Sequence, residues 1–146
     1  MISKAVPQLL EVRQLRFHRE QDVLRVRQLA LDQAVAAAEL ALTDLGSWQQ
    51  DRRRLEDAIY HSLIGETIAL SDLLGLKEKI VSLHEHERLL ERRVQEAVVE
   101  ADQALQARDE AHKVARHLYN KFHKCEHLLQ ALRDGDLRSA NRTSFG

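Results

Sequence analysis

From Leu73 onward, apolar residues recur at alternating steps of three and four. The series is Leu73, Leu76, Ile80, Leu83, Glu87, Leu90, Val94, Ala97, Ala101, Ala104, Arg108, Ala111, Ala115, Leu118, Phe122, Cys125, Leu129, Leu132. Only Glu87 and Arg108 break it. A 3.5-residue repeat held for this long is the signature of a left-handed coiled coil, in which one apolar seam faces a partner helix. The spacing therefore predicts a long helix over about 71–133.

The first half of the chain repeats more loosely. Leu10, Phe17, Leu24, Leu31, Ala38, Leu45 and Ile59 fall at seven-residue intervals, with Arg52 interrupting the row. The alternate row reads Arg13, Glu20, Arg27, Ala34, Ala41, Trp48, Leu55, Ser62. Only from Ala34 to Leu55 are both rows apolar, Arg52 excepted. A first helix over about 8–63 accounts for the pattern. Gly46-Ser47-Trp48-Gln49-Gln50 resembles a helix stop followed by a capping box, yet the heptad phase runs through it. The reading is one continuous helix that can kink near Gly46.

Between the two patterns lies SLIGETIALSDLLGLKEKI, which concentrates two of the five glycines. Gly65 suits a left-handed helix stop, and Ser71 before Asp72 suits an N-cap with an acid in the first turn. A tip of about 64–70 is too short for anything but antiparallel neighbours. The fold class is all-α: a single long antiparallel two-helix coiled-coil hairpin over 1–133, each helix roughly 80 to 95 Å long. Residues 134–146 lose the periodicity and read as a flexible tail.

Folding at the tip pairs residues whose numbers sum to about 135. Ala34 and Ala38 then meet Ala101 and Ala97, and Phe17 and Leu24 meet Leu118 and Ala111. Arg52 falls near Glu87 as a cross-seam ion pair, whereas Arg27 falls opposite Arg108 as a like-charge contact. Gly75, one turn inside the second helix, reads as a site of close approach by Tyr60 or Leu63.

Composition narrows the classes. The chain has 146 residues, 31% of them charged and 4% aromatic, with one proline. That is the make-up of long helices, and it supplies a two-helix seam more readily than a thick globular core. A formal net charge of −1 with interspersed signs argues against nucleic acid as the main partner. The single cysteine cannot form an internal disulfide and fits a reducing compartment. The start MISKAVPQLLEVRQL shows no secretory signal, and no apolar run reaches the length of a bilayer span. The expectation is a soluble cytoplasmic protein without membrane insertion.

Catalytic chemistry finds no foothold. His123 and His127 share a helix face but lack a third ligand on it, so they read as surface histidines, and neither metal nor cofactor is expected. Cys125 falls in the apolar row and reads as a buried structural thiol rather than a nucleophile. There is no phosphate-cradling loop or serine elbow, and a two-helix hairpin offers no catalytic pocket. DRRRLED at 51–57 reads as a solvated charged face. The protein is expected not to be an enzyme.

More informative are apolar residues off the seam. With Leu10, Phe17 and Leu24 facing the partner helix, Val12, Leu15, Val26 and Leu29 point to the back. They form two pairs fourteen residues apart, and Leu40 continues the stripe. Such a row marks a candidate surface for a second protein.

Three stretches, GSWQQDRRRLEDAIYHSL, LSDLLGLKEKIVSLHEHERLLERRV and YNKFHKCEHLL, resemble the YscO/FliJ family of type III secretion stalk proteins. The resemblance implies a small cytoplasmic coiled-coil protein peripheral to the inner-membrane secretion apparatus. It implies binding to the export ATPase and a link to the export gate, and some members bind secretion chaperones. It further implies that the end bearing both termini enters the ATPase ring. Leu10, Phe17, Leu118 and Phe122 would build that end, with Arg13, Arg16, Lys121 and Lys124 on its surface. The tip residues Gly65, Glu66, Thr67, Ile68, Ser71 and Asp72 would point away. The hairpin is expected to be a monomer in isolation. The alternative is a generic coiled-coil scaffold or adaptor forming an extended intermolecular dimer.

Overall fold

Two helices carry the whole fold, α1 (Ala5–Leu63) and α2 (Leu70–Ser144). The computed structural model describes residues 4–144, with side chains over 4–136. α1 begins three residues earlier than expected because Pro7 falls in its first turn, where the missing N–H has no intrahelical role. The first bond of the i→i+4 ladder runs from Gln8 N–H to the Lys4 carbonyl at 3.3 Å. No break occurs at Gly46, and α1 is helical from Ala5 to Leu63. Both helices are long because nothing in them stops propagation, which gains one hydrogen bond for each residue fixed.

α1 ends at Leu63, and Gly65 adopts φ +79°, the left-handed geometry that only glycine enters without penalty. α2 starts two residues earlier than a Ser71 cap requires. The Ala69 carbonyl accepts from the amides of Leu73 and Asp72, both at 3.1 Å, so Ala69 is the capping residue. Ser71 lies inside the first turn, with Asp72 beside it as the acid that complements the helix dipole.

At the other end α2 continues past residue 133 to Ser144, where the sequence predicts a flexible tail. The heptad ends at Leu132 and residues 133–136 are exposed, yet the helix runs on. Beyond Leu132 the segment has no proline to stop the helix before Ser144. Phe145 and Gly146, the last of the expected tail, lie outside the described residues.

The helices contribute to two compact units, Met1–Ala30 with Leu105–Gly146, and Leu31–Ala104. In each, the α2 seam follows the heptad: every member of the series from Leu76 to Leu129 is buried or half-buried. Leu73 and Leu132, at the two ends, are exposed. Its buried members are Ala111, Ala115, Cys125 and Leu129 in the first unit and Leu90 in the second, where Leu31 and Ala38 are the buried residues of α1. With so few buried side chains, stability is the sum of many small apolar contributions, each on the order of 1 kcal/mol.

The α1 seam departs from the strict heptad at three places. Gln28, Glu56 and Leu63 are half-buried, while Arg27, Leu55 and Ser62 are exposed. The like-charge contact between Arg27 and Arg108 is thereby avoided. Gln28 takes the seam position, and its Oε1 accepts from Arg108 Nη1 at 3.1 Å. The expected close approach at Gly75 is also absent, since a Cβ there would meet nothing within 4 Å. Neither Tyr60 nor Leu63 comes within 4 Å of that position, which faces open space.

Candidate interaction surfaces

In the unit formed by Met1–Ala30 and Leu105–Gly146, an aromatic cluster bridges the helices. Phe17 and Phe122 stack at 6.2 Å with planes 6° apart, and Tyr119 lies 5.4 Å from Phe17. Leu10, Phe17, Leu118 and Phe122, the predicted builders of this end, are all half-buried in the seam. Of the four cations predicted on its surface, Arg16, Lys121 and Lys124 are exposed. Arg13 instead crosses the seam, donating from Nη1 to the Lys121 carbonyl at 3.2 Å. It stitches α1 to α2 as well as carrying charge.

The cluster extends along α2 beyond the seam. Tyr119 stacks on His123 at 5.7 Å, and the His123 and His127 Nε2 atoms lie 3.0 Å apart. At that distance one imidazole donates to the other. Among the described residues no group of three or more His, Cys, Asp or Glu is placed to hold a metal. Tyr119 escaped the heptad reading because it is off the seam. Its four-residue spacing to His123 and His127 was the available signal.

In the unit Leu31–Ala104, the seam contains a charged layer. Arg52 Nε lies 2.9 Å from Glu87 Oε2, and Arg52 Nη1 donates to Glu56 Oε2 at 3.2 Å. His84 Nε2 sits 2.7 Å from Glu56 Oε1. The Arg52 Nε–Glu87 approach is a charge contact and the His84–Glu56 approach a polar one, both without hydrogen-bond alignment. The three charged side chains are only 12–16% exposed. One turn away, Trp48 meets His86 edge-to-face at 4.4 Å, and its indole N–H is buried with no acceptor.

Nearer the tip, Leu55 turns outward because Glu56 occupies the seam. It lines an open groove of about 510 Å³ with Ala58, Ile59, Leu76 and Leu83. A second groove of about 440 Å³ is lined by Glu66, Ile68, Ser71, Asp72 and Gly75, among others. Of the predicted tip residues, Ile68 is half-buried and Glu66, Thr67, Ser71 and Asp72 are exposed. Tyr60, Ile64, Leu70 and Leu74 surround them as exposed apolar side chains.

The back of α1 is open. Val12 is 44% exposed, Leu15 64%, Val26 66%, Leu29 59% and Leu40 62%. Charge is distributed unequally as well. Residues 1–30 and 105–146 hold fourteen Lys and Arg against eight Asp and Glu, a net of +6. Residues 31–104 hold eight against fifteen, a net of −7. The overall charge of −1 hides this polarity. No helix of the described residues is long and apolar enough to cross a membrane.

A family model, type III secretion protein YscO, matches residues 6–143. Among solved structures, the chain is similar to the 2.8 Å crystal structure of YscO from Vibrio parahaemolyticus. The two are 20% identical, with a TM-score of 0.82 over 96% of this chain and 88% of that one. That degree of identity speaks to the shared helical hairpin. No curated protein matches the sequence.

Proposed function

Because the chain belongs to the YscO family of type III secretion proteins, we propose that it is the non-enzymatic stalk of the export apparatus. It binds the export ATPase through the unit that carries both termini. Its tip contacts the export gate, and secretion chaperones are further partners. It works in the cytoplasm, peripheral to the inner membrane. Force or position is passed through the helices and no bond is made or broken.

The observation that carries this reading is the unit of residues 1–30 and 105–146. There a stacked Phe17–Phe122 pair holds the two helices together. Exposed Arg16, Lys121 and Lys124 surround it. An aromatic anchor inside a cationic rim is the anatomy of a protein-binding end. The test is co-purification of the export ATPase with the tagged chain. Phe17→Ala and Phe122→Ala are expected to lose the ATPase, whereas Glu66→Ala at the tip keeps it. Undiminished ATPase capture by both phenylalanine variants would sink the assignment.

A further inference from the structure

The back of α1 within residues 4–30 is an exposed helix face with a second heptad of its own. Leu9, Val12, Val23 and Val26 follow each other at steps of three and four around a central Arg16 and Arg19. Leu15 and Leu29 widen the two apolar ends. From Val12 to Leu29 the row is about 26 Å long. Its apolar members are 37–66% exposed, and a shallow groove of about 700 Å³ lies along it between Arg19, Asp22, Val23, Val26 and Arg27. A contiguous apolar row left open on a helix marks a surface for another element.

The charges on the row say what that element is. Asp22 is already matched by Arg25 at 3.3 Å on the same helix. Arg16 and Arg19 have no acidic partner among the described residues, and the unit around them is net positive. We propose that this face docks a single amphipathic helix of a partner protein, with apolar residues toward its two ends and Asp or Glu at its centre. The central carboxylates meet Arg16 and Arg19, and the flanking aliphatic residues pack on Val12, Leu15, Val26 and Leu29. A second copy of the same face is disfavoured, because a two-fold pairing would bring the Arg16–Arg19 segments against each other. The row shares Arg16 with the rim of the Phe17–Phe122 cluster but contains neither phenylalanine, and its apolar members Val12, Leu15, Val26 and Leu29 lie outside that cluster, so peptide binding to it is read without the ATPase.

Two synthetic helical peptides about three heptads long test it, both with leucine ends, one with a glutamate centre and one with a lysine centre. Fluorescence anisotropy with the full chain is expected to give at least roughly tenfold tighter binding of the glutamate peptide, the gap narrowing with salt. Leu15→Ser with Leu29→Ser abolishes binding, and Arg16→Glu with Arg19→Glu reverses the preference. All four positions are exposed, so circular dichroism of the variants stays that of the parent. Equal affinity for both peptides, or no binding of either, overturns the proposal. It is equally overturned if phosphatidylserine vesicles or duplex DNA are bound instead and the leucine substitutions release them. A dimer that those substitutions dissolve has the same consequence, because the face would then belong to a second copy.

Discussion

Arg52→Leu is the sharpest perturbation of the seam. Arg52 is the cation between two carboxylates, 2.9 Å from Glu87 and 3.2 Å from Glu56, and all three side chains are more than four-fifths out of water. Removing it leaves two nearly buried negative charges with only His84 close by. Orphaning one member of a fully buried ion pair costs about 3–5 kcal/mol. Residual solvent at this layer lowers the figure, and we expect about 2–3 kcal/mol. Arg52→Leu with Glu87→Leu removes one of the two orphaned carboxylates and leaves Glu56 beside His84. The double variant should recover about half of the loss and stay about 1–1.5 kcal/mol below the parent. The coupling energy of the cycle is then about 1 kcal/mol. Urea denaturation followed by circular dichroism at fixed pH and ionic strength reads all four states, and m-values report whether the unfolding reaction is unchanged. A single variant costing less than about 0.5 kcal/mol, with the double simply additive, refutes the electrostatic account of this layer.

The glycines respond in opposite directions. Gly75→Ala raises stability by about 0.5–1 kcal/mol, because the position is helical and a methyl group meets open space. Gly65→Ala lowers it by about 1 kcal/mol, because φ +79° is strained for any L side chain. Thermal melts of the two variants give the signs directly. Cys125, 3% exposed in the seam, should resist thiol reagents in the folded chain and react fully once denaturant unfolds it. Phe17→Ala removes both ring contacts across the seam and should cost about 2 kcal/mol by urea titration.

The α2 seam was legible from the sequence because burial in a coiled coil depends on one row. That row was apolar except at Glu87 and Arg108. Glu87 was recognisable as the partner of Arg52 from hairpin arithmetic alone. α1 was harder, since its second row mixes Arg13, Glu20 and Arg27 with alanines. Heptad counting cannot show where a straight helix, with 3.6 residues per turn, lets the next residue take the inner position. Gln28 replacing Arg27 and Glu56 replacing Leu55 are both such shifts, and in each the incoming side chain meets a charge across or along the seam. At Gly75 the expectation of close packing failed because a weak helix former has no single cause. The helix beyond residue 133 was not legible because the heptad reports a seam and is silent about helix that continues past it. Net charge misled most. A value near zero suggested evenly mixed surfaces, whereas the two compact units carry opposite signs.

One chain supplying both helices of each seam is the premise of the stalk reading, and light scattering on the purified protein tests it most directly. A hairpin folded back at Gly65 gives the mass of one chain, 16.8 kDa, at every concentration. A mass of about twice that, held on dilution, means that the helices pair between chains as in an extended dimer. The folded-back hairpin would then be wrong.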